Sequence, residues 1–101
     1  MKVKQIQGNR RAWLPAERFE VIALYNKFLQ KQTAGEKYQK AAPVRACAER
    51  LERSKGSIEC KLMNISAIRE AAGLPIVQGY KPLHNVEAAL VEQCRNFWGI
   101  K

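Results

Sequence analysis

The chain has 101 residues, 47% of them hydrophobic, which suffices for one small core and is too short for a catalytic domain beside a separate binding domain. Lysine and arginine number 18 against nine glutamates and no aspartate, a formal net charge of +9, which points to a polyanionic partner because cations that neutralise phosphates release condensed counterions. No apolar run approaches the roughly 18 to 20 residues needed to span a bilayer, and the basic start MKVKQIQGNRR is followed by no apolar signal segment, so a cytoplasmic protein without membrane contact is expected.

In chain order, residues 1–12 read as a flexible basic arm with Lys2, Lys4, Arg10 and Arg11 around Gly8. Residues 13–101 read as one all-α domain of about four helices. The first helix opens at Pro15, with Glu17 and Glu20 near its positive end, and runs to about Gln32 before Gly35. Phe19, Ile22, Ala23, Leu29 and either Tyr25 or Asn26 recur on its expected core face, and Trp13 and Leu14 are placed to pack back on its first turn.

A basic linker, GEKYQKAA, leads to a second helix from about Pro43 to Glu52 with Val44, Cys47, Ala48 and Leu51 as its apolar stripe. After the connection RSKG, Ser54 is the expected N-cap of a third helix that ends at Gly73, with Pro75 beyond. The segment LPIVQGYKP must be extended or turning, with Ile76 and Val77 either strand-like or plugging the core. Asn85 is the expected N-cap of a last helix to about Trp98, lined by Val86, Leu90, Cys94 and Phe97 or Trp98.

Catalytic chemistry finds little support in these residues. One histidine, His84, no aspartate and scattered glutamates form no hydrolytic triad, no Gly-rich phosphate loop and no metal cluster, so a non-enzyme without cofactor or small-molecule substrate is expected. Cys47, Cys60 and Cys94 have neither disulfide nor zinc spacing and read as small hydrophobes at or near apolar helix positions.

Binding finds more. A short second helix, a glycine-containing turn and a longer third helix have helix-turn-helix proportions. On the third helix Ile58, Leu62, Ile65 and Ala72 share one face, while Ser57, Lys61 and Asn64 form an adjacent stripe at i, i+4 and i+7. Lysine reaches phosphate or guanine, asparagine pairs with adenine and serine donates to either, and Arg53, Ser54 and Lys55 gather at the helix start, where amides favour phosphate. Tyr80 and Lys81 in GYKP, with Tyr80 equally suited to the core, and Arg10 and Arg11 in the arm complete the expected set for double-stranded DNA. Glu59 fits only by pairing with an arginine or accepting from a cytosine. The alternative is a helical adaptor, with a protein partner or self-association, favoured by the aromatic end RNFWGI; RNA is a third candidate.

The stretch RSKGSIECKLMNISAI, followed by GLPIVQGYKPLHNVEAAL, resembles the N-terminal helical domain of McrA-like, modification-dependent HNH restriction endonucleases and related proteins. The resemblance rests on Arg53, Ser54, Gly56, Ser57, Ile58, Glu59, Lys61, Asn64, Ile65, Ser66 and Ala67, then Gly73, Leu74, Pro75, Gly79, Tyr80, Lys81, Pro82 and Asn85. It is close over residues 53–85 and looser over 13–95, and Cys60 stands where an aromatic is usual. It implies a DNA-associated helical module of restriction or phage-related DNA transactions; one histidine cannot furnish an HNH site.

Overall fold

A computed structural model describes residues 11–101. Four helices follow one another: α1 (Pro15–Thr33), α2 (Ala41–Leu51), α3 (Lys55–Ala71) and α4 (Ala88–Trp98), with no strand among the described residues. This is the all-α architecture of about four helices that the sequence predicts, and none of the helices is long and apolar enough to cross a membrane.

The helix ends follow from local chemistry. Pro15 opens α1, and the Glu17 carboxylate accepts a 2.9 Å bond from the Leu14 N–H, half of a capping box that leucine cannot complete. Ser54 caps α3 as expected, its hydroxyl accepting from the Ser57 N–H at 3.0 Å, an interaction worth about 1 kcal/mol. Between α2 and α3, Glu52 adopts the left-handed conformation at φ +55°, which costs a non-glycine residue about 1 kcal/mol. That reversal aims the next side chain, Arg53, into the molecule.

Helices α1 and α3 form the central pair, and each packs against both other helices. From α1 the core takes Val21, Ile22, Tyr25, Phe28 and Leu29; from α3 it takes Ile58, Leu62 and Ile65, with Val44, Cys47, Leu90 and Cys94 closing it from the short helices. Phe19, expected in the core, is 54% exposed and meets Phe97 edge to face; the buried position beside it belongs to Arg18. Cys60 and Ala72, expected at apolar positions, are also exposed.

The segment 73–87 crosses the bundle and is tied down at several points. Val77 plugs the core rather than forming a strand. Its N–H donates to the Tyr25 hydroxyl (2.9 Å), which also pairs with the buried Ser66 hydroxyl (2.8 Å). Gln32 bonds the Ile76 carbonyl and the Gln78 N–H, and the Arg69 Nε donates to the Pro75 carbonyl at 2.7 Å. Lys40 donates to the Gln78 carbonyl (2.6 Å) and lies over the Tyr38 and Tyr80 rings, so close to Gly79 that a β-carbon there would sit 2.7 Å from its nitrogen. Gly79 also has φ +94°, open to glycine at little cost.

The last helix begins at Ala88, with Glu87 as the N-cap, and not after Asn85. Ion pairs from Arg18 (3.2 Å) and Lys61 (2.5 Å) hold the Glu87 carboxylate, which fixes its backbone as extended and delays the helix.

Candidate nucleic-acid interface

The residues singled out in the sequence separate into a buried group and an exposed one. Arg53 heads the buried group. Its side chain is wholly inaccessible; Nη2 donates to the Glu17 carboxylate (2.9 Å) and the Ala12 carbonyl (2.8 Å), Nη1 to the Arg11 carbonyl (3.2 Å), and the guanidinium lies 4.0 Å from the centre of the Trp13 ring. This corrects its assignment as a phosphate ligand: the guanidinium fork is spent on anchoring the segment that enters α1.

Burial tends to raise the Glu17 pKa, but the hydrogen bonds from Arg53 and the Leu14 N–H, with the charges of Arg53 and Arg11, outweigh it and hold the carboxyl below its usual range. Arg11, expected to lie in the free arm, donates to the Leu51 carbonyl at 2.7 Å and pairs with Glu17 at 3.3 Å. Residues 11 and 12 therefore belong to the folded unit. Arg10 and the rest of the predicted arm lie outside the described residues.

Asn64 and Tyr80 are corrected in the same way. Asn64 is 5% exposed and donates its amide to the Leu83 carbonyl at 2.7 Å, while Leu83 N–H returns a bond to the Met63 carbonyl. An amide used to fasten the crossing segment is not presented to a base edge. Tyr80 is buried against Phe28, and burial, with the negative charge of Glu59, pushes its phenol up to about 12. Lys61 is intermediate: its side chain is 12% exposed, pairs with Glu87 and lies 5.1 Å from the Trp13 ring.

Both a guanidinium and an ammonium thus lie against the Trp13 ring, and one polar chain runs from Glu17 through Arg53, Trp13 and Lys61 to Glu87 and Arg18. Arg18 completes it by donating to the Trp13 carbonyl (2.8 Å) and to Gln93. The spacing of Arg18, Trp13, Glu87 and Gln93 along the sequence gives no hint of this chain; only the folded geometry unites them.

The exposed group is smaller and centres on the start of α3. Ser54, Lys55 and Gly56 are exposed and Ser57 is half-buried at the start of α3. Ser54, Gly56 and Ser57 border a cleft of about 380 Å³ whose other walls include Trp13, Lys61, Leu83 and Asn85. Lys81 is exposed farther along the same crossing segment, and like Lys55 it makes no side-chain hydrogen bond or ion pair among the described residues. Beyond Lys61, every residue of α3 from Leu62 to Arg69 except Met63 is buried. The covered middle of the helix keeps it from lying along a groove as a free recognition helix does, and at this end its first two turns are presented.

The chemistry of that end is anion recognition. The first amides of α3 lie outside the helical ladder, the dipole adds partial positive charge, and Lys55 adds a full one. Glu59, half-buried and in no ion pair among the described residues, sits one turn farther along and limits how much of the helix a phosphate backbone can approach. No group of three or more potential metal ligands occurs among the described residues. Comparison of the chain with protein-family models, with curated proteins and with solved structures gives no match.

Proposed function

We propose that the protein is a non-catalytic module that binds double-stranded DNA end-on, through the first turn of α3. Lys55, the hydroxyls of Ser54 and Ser57 and the outer α3 amides take phosphate oxygens, and Lys81, on the crossing segment, supplies a second exposed cation. The observation that carries the reading is the distribution of charge. Arg11, Arg18, Arg53 and Lys61 are paired with glutamates that pack the fold and Arg50 with Glu20 at its surface, whereas Lys55, at the open start of α3, makes no ion pair among the described residues, nor does the exposed Lys81.

The net charge of +9 supports the same reading, as does the resemblance of residues 53–85 to the head domains of McrA-like restriction endonucleases. Contacts of this type position a protein on the backbone and carry little sequence information, so the expected binding is sequence-tolerant. Fluorescence anisotropy with a labelled duplex tests it: affinity should be measurable at low salt and fall steeply as salt rises. Absence of binding at low salt would sink the proposal.

A further inference from the structure

At the far end of α3, about 18 Å along the helix from Ser57, lies a second concavity unrelated to the DNA-binding reading. It is a half-open groove of about 570 Å³ between the last turns of α3 and the outer side of α4. Ala67, Ile68 and Ala71 form one wall and Val86, Val91 and Ile100 the other. The floor is apolar because α3 carries alanines where it passes α4, which keeps the wall low, while Val91 stands one turn from Arg95 on the same side of α4.

The rim is cationic. Arg95 and Lys101 are both exposed, lie on either side of the cap at Gly99, and make no ion pair among the described residues. His84 also borders the groove, but the Glu70 carboxylate stands 3.8 Å from its Nε2, so it adds little. The Ile68, Arg69 and Glu70 carbonyls of α3 are bonded by the N–H groups of Ala72, Gly73 and Leu74, and the Arg95 carbonyl by that of Ile100, so part of the backbone negative charge at this end is satisfied.

A half-open trough leaves a small molecule largely wet, whereas small-ligand sites enclose most of their ligand. A low apolar floor between two helices, flanked by free cations, is complementary to a helix that presents apolar residues at i and i+4 and carboxylates beside them. We propose that this groove docks a short acidic amphipathic helix of a partner protein, its aliphatic side chains lying over Ile68 and Val91 and a carboxylate pairing with Arg95.

The test uses two synthetic helical peptides that share a leucine stripe and differ only in flanking residues, glutamate in one and lysine in the other. Titration into the isotopically labelled protein, followed by amide chemical shifts, should show the glutamate peptide perturbing Ala71, Val91 and Ile100 and the lysine peptide binding at least about tenfold more weakly. Arg95→Glu should reverse that order, and Ala71→Trp, which fills the trough, should weaken both peptides; melting curves establish that the exposed substitutions leave the fold intact. Equal binding of the two peptides, shifts confined to another surface, or a groove covered instead by a second copy of the chain in sedimentation would each overturn the proposal. DNA affinity is read separately, so failure here leaves the α3 N-terminal reading standing.

Discussion

Replacing Arg53 by alanine removes a wholly buried guanidinium whose interactions include the Glu17 ion pair, hydrogen bonds to the Arg11 and Ala12 carbonyls and a contact with the Trp13 ring. Breaking one side of a buried pair costs about 3–5 kcal/mol, because the partner charge stays behind without its counterpart. Glu17 is 11% exposed and keeps the Leu14 N–H and the partly exposed Arg11, which softens the loss, so about 3 kcal/mol is expected. For a domain of this size that lowers Tm by about 15 °C, measured by circular dichroism or calorimetry. Arg53→Lys should recover only part, since an ammonium cannot reproduce the fork shared among Glu17, Ala12 and Arg11. A Tm within about 3 °C of the parent, together with lost DNA affinity, would refute the reasoning and return Arg53 to the DNA surface.

Glu17 also sets an acid limit. Its folded pKa lies below the ordinary carboxylate value, so its stabilising contribution is present above the unfolded pKa and disappears as pH falls through the folded one. Urea titrations between pH 6 and pH 3, values bracketing the carboxylate range, should show a loss of stability that is smaller in Glu17→Gln; identical pH profiles would contradict it. Tyr25→Phe leaves the Ser66 hydroxyl and the Val77 N–H without their shared partner and should cost about 1–3 kcal/mol in chemical denaturation, with little change in DNA affinity. Among the thiols, burial pushes Cys94 up to about 12 and raises Cys47 as well, while Cys60 is exposed; Ellman's reagent should therefore titrate Cys60 alone before unfolding.

Punctuation made the first three helices legible. Pro15, Ser54 and Gly73 act through local capping and backbone preference, and the observed ends fall within one or two residues of the expected ones. The cap of α4 falls at Glu87 and not Asn85, although Asn85 carries a capping side chain, because Glu87 is held by Arg18 and Lys61, residues 69 and 26 positions away. Periodicity misplaced Phe19 for a related reason: the chain spends the adjacent inward position on Arg18, whose partners Gln93, Glu87 and the Trp13 carbonyl are visible only once α1 and α4 meet.

The candidate site shows the same division. The stripe of Ser57, Lys61 and Asn64 is real as helical geometry, but a helical wheel cannot show that the crossing segment covers Asn64 and that Glu87 reaches Lys61. Motif residues chosen for their DNA chemistry, Arg53, Asn64 and Tyr80, hold the fold together, and the remainder is the exposed Ser54, Lys55 and Lys81 with the half-buried Ser57.

The salt dependence of duplex binding, measured for the parent and for Lys55→Ala/Lys81→Ala, tests the central claim most directly. Each phosphate contact contributes about 0.9 to the slope of log K against log salt, so the double variant should lose about 1.8 and bind more weakly with its melting temperature unchanged. An unchanged slope and affinity, or a parent protein that does not bind duplex at low salt, would contradict the account.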